Sequence, residues 1–304
     1  MSTYLQKRFN STDKTNLKQA VLILENPNFL IKASNVVGKP IEFIIGTLNK
    51  VPFASTLINR GATKSIEIAT HTVLFTLDEL NTSKNSADGF HIMLAALSGG
   101  VCGFFGLPGV LADLPVSTMV MLRSIAAIAR YEGEDLNNIE SQMECITVFA
   151  LGGNTTTDDA AESAYFTTRA TISKGLTKDT LLGITKTLST AATTIDKEFA
   201  KILAKEGMPK LLEKTVQNET TKKTVDALVK FINQVSARYA VTVTEKVAVE
   251  VVPIIGAVAG VGINTLFTTH YQRMAHGHFT VRRLERKHGK ELVKKEYEKL
   301  MKEK

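Results

Sequence analysis

The sequence predicts an all-α protein that folds as a single bundle of several helices. Helical periodicity of apolar residues recurs along most of the chain, and strand signals are limited to one β-prone stretch, VTVTEKVAVEVV, near residue 241. Two long glycine-rich apolar runs carry no charge. With 304 residues, of which 44% are hydrophobic, the chain can bury a sizeable core. We therefore expect a helical bundle whose central helices or hairpins are the two apolar runs.

The first apolar run covers residues 92–112 and contains five glycines in 21 positions. As a helix it would extend about 32 Å, which is close to the thickness of a bilayer core. The second run, 251–269, has a similar composition. Because glycine destabilises an exposed helix by about 1 kcal/mol, we expect these glycines to serve close packing or bends. The pairs spaced for close helix packing are Gly99 with Gly103 and Gly256 with Gly260.

Prolines interrupt both runs, at Pro108 and Pro253, and favour bent or re-entrant elements over straight membrane spans. Elsewhere, apolar spacing predicts a core-facing helix over 54–80 and a buried helix over 114–131. An amphipathic helix is predicted over 179–205, and Gly207 and Pro209 should end it. A further helix is predicted over 210–240.

We divide the chain into a polar N-terminal arm (1–16), a helical domain (17–270) and a basic helical tail (271–304). Residues 270–304 contain eleven Lys and Arg against five Glu, and so account for most of the net charge of +7. Such a tail suits an acidic surface, although a solvated helix with mixed charges is the alternative. We expect an anionic membrane surface as the partner, not nucleic acid, and leave a membrane-protein partner open.

The polar start of the chain has no apolar segment of a secretory signal, and the two cysteines show no metal or redox spacing. We therefore expect a cytoplasmic protein at the inner face of the cytoplasmic membrane. No Ser-elbow, P-loop or dinucleotide-binding motif occurs in the sequence, so no cofactor is predicted.

Three blocks resemble the EcsC protein family: GLPGVLADLPVSTMVMLRSIAAIARYEGED from 106, AESAYFTTRA from 161, and VPIIGAVAGVGINTLFTTHYQRMAHGHFTVRRLERKHG from 252. A less specific block, ENPNFLIKASNVVGKPIE, extends the likeness to about residues 20–290. The resemblance implies a fold more than a function. Members are mostly bacterial, are named for an operon that encodes an ABC transporter, and have no settled biochemical activity. The chain departs from the family pattern at YEGED, where we expect Gly133 to make the turn one place later.

Charged residues within apolar sequence need a partner or access to water. Asp113 and Arg123 would lie nearly three turns apart on one helix, too far for a direct pair. Pro115 could start a new helix with Asp113 at its N-cap, and an ion pair for Asp113 is the alternative. Tyr165 and Arg169 form an i,i+4 pair, and Arg169 is expected to join a buried network with Asp113 or Asp159.

A phosphate or lipid site made from Arg123, Arg130 and Arg169 is a sharper hypothesis, because the guanidinium fork suits phosphate. His270, His276 and His278 cluster, but their spacing matches no metal motif and no metal is predicted. A basic cluster beyond the second run would mark the cytoplasmic side of a membrane. The candidate polar residues are Asp113, Arg123, Arg130, Tyr165, Arg169, His270, Arg273, Arg282 and Arg283.

Three functions are compatible with these observations. The first is a non-enzymatic, membrane-associated helical protein that acts through protein or lipid contacts. The second is a hydrolase whose polar pocket combines Asp113, Arg123, Arg169 and His270. The third is a wholly soluble cytoplasmic bundle in which the apolar runs form the innermost helices.

Overall fold

A computed structural model describes residues 9–26, 35, 46, 53–81, 107–153, 163–192, 219–250 and 257–303 of the chain. Over these residues the protein forms α helices and no strand, which confirms the all-α prediction. The helices are α1 (Ser11–Leu24), α2 (Ala54–Asn81), α3 (Leu107–Tyr131), α4 (Ile139–Thr147), α5 (Ala164–Ser173), α6 (Lys178–Ala192), α7 (Glu219–Glu250), α8 (Ala257–His288) and α9 (Lys290–Lys302).

Three long helices, α3, α7 and α8, meet around a buried aromatic cluster. Tyr239 of α7 contacts Phe267 and Tyr271 of α8, with ring centroids 6.2 and 5.7 Å away. Its hydroxyl lies 2.7 Å from Thr118 Oγ1 of α3. Phe149, in the turn after α4, packs on both tyrosine rings. These rings, which have no exposed surface, form the middle of the core.

The contacts of α3, α7 and α8 define their relative directions. Gln272 of α8 donates to Ser124 of α3, and eight residues later on each helix Thr280 donates to Glu132. Helices α3 and α8 therefore run parallel. Lys246, seven residues after Tyr239 on α7, lies near Asp113, which precedes Thr118 on α3. Helix α7 is consequently antiparallel to the other two.

The β-prone stretch near residue 241 is helical, because α7 continues to Glu250. Its valines at 243 and 247 are one turn apart and both are buried. Burial on one helical face thus outweighs the weak strand preference of valine. The helix predicted over 179–205 is present from Lys178 to Ala192, and that predicted over 210–240 is present as α7 from Glu219. The remainders of both predictions lie outside the described residues.

The prediction that a helix starts at Pro115 is wrong. Helix α3 begins at Leu107 and continues through Pro115, so Asp113 is an interior residue and not an N-cap. Proline removes one backbone donor from the helix, so the carbonyl four residues before it loses its usual partner. Buried apolar residues follow through the rest of α3, and their packing maintains one continuous helix.

The glycine pairs Gly99–Gly103 and Gly256–Gly260 lie at positions for which the structure gives no side-chain surroundings, so their packing remains a prediction. Helices α3 and α8 begin inside the two apolar runs and start at the same end of the bundle, since they run parallel. Within the described part of the chain, none of the helices has the length and apolar character needed to cross a membrane.

The two ends of the described chain pack on the bundle. Helix α8 passes through residue 270 without a break, and Tyr297 and Leu300 of α9 are buried. Glu25, which follows α1, accepts hydrogen bonds from Ser163 Oγ at 2.5 Å and Tyr297 Oη at 2.8 Å. One carboxylate thus links α1, the start of α5 and α9. Residues after 270 contribute to the same core as those before it.

Gly277→Ala should destabilise the protein, because a Cβ atom at Gly277 would lie 2.9 Å from Leu24 Cγ where α1 packs on α8. Overpacking costs about 1–3 kcal/mol, which exceeds the gain of about 1 kcal/mol in helix propensity. Urea unfolding measures the difference. The neighbouring exposed substitution His276→Ala is the control and should change the free energy of unfolding by less than about 0.5 kcal/mol. Equal stability of G277A and the wild type would show that α1 is not held closely against α8.

Candidate functional site

The end of α3 turns two carboxylates towards α8. Gly133 has a φ angle of 83°, and the amide of Glu134 donates to the Ala129 carbonyl while that of Gly133 donates to Arg130. This is a Schellman helix end, in which glycine takes the left-handed conformation. Gly133 therefore makes the turn that the sequence predicted for it. Glu132 and Glu134, on either side of the turn, are both buried.

Glu134 binds two arginines of α8. Arg282 donates from Nε at 2.8 Å and from Nη2 at 3.1 Å, and Arg286 Nη1 also contacts Glu134. Ser141 Oγ donates a further hydrogen bond at 2.7 Å. Burial raises the pKa of Glu134, but Arg282, Ser141 and Arg286 outweigh burial and hold this pKa below its ordinary value. Glu134 is therefore ionised at neutral pH.

Glu144 of α4 is the point where three helices meet. Its carboxylate lies 2.8 Å from Arg282 Nη1, 3.7 Å from Arg169 Nη2 and 3.0 Å from His278 Nε2. Only 13% of this side chain is exposed. Burial raises the pKa of Glu144, but Arg169, His278 and Arg282 together hold the pKa well below its usual range. The carboxylate is a fixed negative charge that binds α4, α5 and α8 together.

His278 lies between Glu144 and Tyr165. Tyr165 Oη is 3.0 Å from His278 Nδ1, and Nε2 faces Glu144. Burial lowers the pKa of His278 more strongly than Glu144 raises it, so the ring is neutral at pH 7. Burial raises the pKa of Tyr165, whose hydroxyl therefore keeps its proton. These states make Tyr165 the donor to Nδ1 and place the proton on Nε2, which lies 3.0 Å from Glu144 Oε2.

Arg169 completes this group of charges. Its Nη1 donates to Tyr165 Oη at 3.4 Å, which confirms the i,i+4 pairing, and to Glu285 at 2.7 Å. The sequence predicted a buried network for Arg169 but named Asp113 or Asp159 as its partner. The carboxylates that contact it are Glu144 and Glu285. Asp159 lies outside the described residues.

These ion pairs form one assembly, which we call the charged network. Arg283 joins it by contacting Glu132 at 3.1 Å, and Arg282 Nη1 also lies 3.6 Å from the half-exposed Glu140. Its members are Glu132, Glu134, Glu140, Glu144, Glu285, Arg169, Arg282, Arg283 and Arg286. Five carboxylates thus face four guanidiniums. Such an assembly joins helices, and its arginines are already neutralised towards an outside anion.

The model of the EcsC protein family matches residues 39–284, which include the end of α3, α4, α5 and most of α8. The chain belongs to the EcsC protein family. No curated protein and no solved structure matches the chain. The charged network of this EcsC protein therefore lies almost wholly within the matched region, and only Glu285 and Arg286 follow it.

The structure gives the remaining candidates of this EcsC protein different surroundings. Asp113 is half exposed and lies 3.9 Å from the buried Lys246 ammonium, in agreement with the ion-pair alternative. His270 Nε2 is 3.0 Å from the Gly152 carbonyl oxygen. Arg123 is exposed, whereas Arg169 is in the charged network. The four residues of the proposed hydrolase pocket thus have separate partners, and the pocket beside Arg169 is not lined by the other three.

The three histidines of the cluster also differ in surroundings: His276 is exposed, and His270 and His278 hydrogen bond to separate groups. Among the described residues, no group of His, Cys, Asp and Glu has an arrangement that could hold a metal ion. The carboxylates of the charged network were not among the site residues predicted from the sequence. Glu144 directly precedes the apolar stretch CITVFALGG, and this position could have identified it as a charge near buried sequence. The neighbouring residues in the sequence do not indicate which arginines pair with it.

Arg123, Arg130 and Arg273 lie on one outer surface. Ser124 of α3 and Gln272 of α8 contact each other and mark where the two helices meet. Viewed along the helix axes, the exposed residues of α3 are rotated from Ser124 in one direction, and those of α8 are rotated from Gln272 in the opposite direction. For two parallel helices these rotations point to the same side of the pair. We call this surface the α3–α8 face. Its exposed members are Asp113, Val120, Arg123, Ala127, Arg130, Tyr131, Thr269, Arg273 and His276.

Arg282→Met should lower the free energy of unfolding by about 3–5 kcal/mol, because it leaves the buried carboxylates Glu134 and Glu144 without their shared cation. Urea unfolding gives this value. Arg273→Met, an exposed position on the same helix, is the matched control and should stay within about 0.5 kcal/mol of the wild type. Similar losses in both variants would contradict a structural role specific to the charged network.

Stability should fall as the pH falls. The pKa values of Glu134 and Glu144 are lowered by folding, so their contribution is present above the ordinary value of 4.5 and is lost as pH falls towards the folded values. His278 also destabilises the protein as the pH falls below 6.5, the ordinary pKa of histidine, because the folded protein holds its ring in the neutral form. The urea midpoint should decrease from about pH 7 to about pH 3. Glu134→Gln should flatten this dependence; an identical slope in the variant would exclude Glu134 as a source.

Proposed function

We propose that this EcsC-family protein acts without catalysis, by binding the anionic inner face of the cytoplasmic membrane through the α3–α8 face. The observation that supports the proposal is the location of three outward-facing arginines, Arg123, Arg130 and Arg273, on one surface of two parallel helices. The one carboxylate among the exposed members of that face, Asp113, lies 3.9 Å from the Lys246 ammonium.

The distribution of charge supports a surface role for these arginines. The charged network pairs each of its four guanidiniums with at least one carboxylate and leaves little attraction for an outside anion. The chain as a whole has a net charge of +7. Each Lys or Arg near an anionic bilayer contributes about 1 kcal/mol of attraction. Three arginines on one face therefore provide useful affinity at low salt, although a single one would not.

Apolar and aromatic groups accompany the arginines. Tyr131 is 82% exposed and Val120 is 49% exposed, and both belong to the α3–α8 face. A tyrosine ring is suited to the boundary between lipid headgroups and acyl chains. Helices α3 and α8 also start within the charge-free apolar runs and at the same end of the bundle. Apolar sequence thus leads into the basic face from both helices.

The test is co-sedimentation of the full chain with vesicles. Binding is expected to phosphatidylcholine vesicles that contain phosphatidylglycerol, and to weaken with added salt. The combined variant R123Q/R130Q/R273Q should lose at least about tenfold in partitioning at low salt, since three favourable charges are removed. The control K222Q/K223Q/K230Q removes three exposed cations from α7 and should bind nearly as the wild type does.

Two results would contradict the proposal. A wild-type protein that remains in the supernatant with anionic vesicles would favour the wholly soluble bundle. Equal losses in the α3 and α8 variant and in the α7 control would indicate a general charge effect and no specific docking face.

A further inference from the structure

A pocket of about 460 Å³ lies between α4, α5, α6 and α9, on the side of the charged network that faces solvent. Its volume is within the range of small-molecule sites. Its inner wall is formed by Glu144, Arg169 and Glu285 of the charged network. Three lysines, Lys178, Lys290 and Lys294, stand at its exposed edge. The pocket therefore has acidic groups inside and basic groups at its mouth.

The inner wall keeps an unused acceptor. Glu285 has 6% of its side chain exposed, and its Oε1 accepts a hydrogen bond from Arg169 Nη1 at 2.7 Å. Its Oε2 receives no hydrogen bond from the part of the chain that the structure describes. Glu144 is already paired with Arg282 as well as with Arg169, so the carboxylate of the inner wall with an oxygen left open is that of Glu285. A ligand that donates a hydrogen bond from a positive group suits this position.

The mouth of the pocket carries lysines and therefore attracts a negatively charged group. Within the described residues, Lys178 and Lys290 have no carboxylate within ion-pair distance. Lys294 lies 3.8 Å from the half-exposed Glu298 and 5.9 Å from the centre of the Phe166 ring. These lysines come from two helices, α6 and α9. Glu140 and Glu291 also reach the edge, so the mouth has three positive and two negative side chains. A phosphoryl group can offer its terminal oxygens to three ammonium groups at once.

Apolar side chains join the two polar regions. Met143, Phe166, Leu176 and Leu181 line the pocket between its edge and its inner wall. Phe166 is the one aromatic ring among the lining residues, so the pocket lacks the aromatic cage that quaternary ammonium groups need. A primary ammonium, which has N–H donors for Glu285, is therefore favoured over a trimethylated one.

We propose that this pocket binds a phosphoethanolamine group. The phosphate lies at Lys178, Lys290 and Lys294, and the primary ammonium donates to Glu285 Oε2. The two-carbon linker passes along the apolar side chains. The same chemistry is present in soluble phosphoethanolamine and in the headgroup of a phospholipid. This site is separate from the α3–α8 face and does not depend on it.

Calorimetric titration of the full chain with O-phosphoethanolamine tests the proposal. Ethyl phosphate, which lacks the ammonium, and phosphocholine, which lacks N–H donors, should each bind at least about tenfold more weakly. Equal affinity for ethyl phosphate would overturn the role of Glu285. Absence of binding of O-phosphoethanolamine up to about 10 mM would overturn the site.

Variants at the mouth locate the binding. K290Q/K294Q should weaken O-phosphoethanolamine binding about tenfold, whereas K299Q, an exposed position further along α9, should not change it. Unchanged melting temperatures would show that the variants are folded. Equal effects of both changes would overturn the assignment of the phosphate to the mouth. The variant R123Q/R130Q/R273Q should keep full affinity, which separates this site from membrane docking.

A second comparison identifies the source of the group. Glycerophosphoethanolamine has the phosphodiester of a lipid headgroup, whereas O-phosphoethanolamine is a monoester with more negative charge. Binding of the diester with equal or higher affinity supports a lipid headgroup as the ligand. Binding of the monoester alone supports a soluble metabolite. Binding of neither would overturn the proposal.

Discussion

The contact on which most of this structure depends is the buried carboxylate of Glu144 between Arg169, His278 and Arg282. It comes from the short helix α4, and its partners come from α5 and α8. A buried charge without a partner costs several kcal/mol, so the helices must keep the arrangement that satisfies it. Glu134, which follows the turn at Gly133 at the end of α3, is likewise a buried carboxylate paired with arginines of α8. The charged network therefore specifies how α3, α4, α5 and α8 are joined, and the aromatic cluster around Tyr239, with its buried hydrogen bond to Thr118, joins α7 to α3 and α8.

This division explains why charged residues that look alike in sequence have different roles. Arg169 and Arg282 are neutralised inside the protein, and Arg123, Arg130 and Arg273 point outward from α3 and α8. The charges of the charged network are paired with one another, so the outer arginines define the electrostatic character of their face. The pocket beside Arg169 has both paired and exposed charges, because one wall belongs to the charged network and its mouth is formed by exposed lysines. The proposed membrane contact and the proposed ligand binding thus concern separate surfaces.

The helices were predictable wherever apolar spacing was regular, as in α2, α6 and α7. The errors came from local signals that tertiary packing outweighs. Pro115 lies inside α3, where Leu114 and the apolar residues that follow are buried and maintain the helix, and the valines near 243 are buried on one face of α7. From the sequence, Arg169 was expected to join a buried network and Arg282 and Arg283 were named among the candidates, but Arg286 was not. Their carboxylate partners were not recognised. An ion pair between helices, such as that of Arg286 with Glu134 across 152 residues, leaves no periodic pattern in the sequence.

The amino-acid sequence was sufficient for the all-α class, the EcsC family, the Tyr165–Arg169 pairing and the turn at Gly133, since each depends on neighbours within a few residues or on a block of matching sequence. Only the tertiary structure decided which charges are neutralised and which face outward. That decision depends on the rotation and direction of α3 and α8, which follow from the packing of all the helices together. Side chains on one helix can be ordered by periodicity, but their partners are selected by the fold.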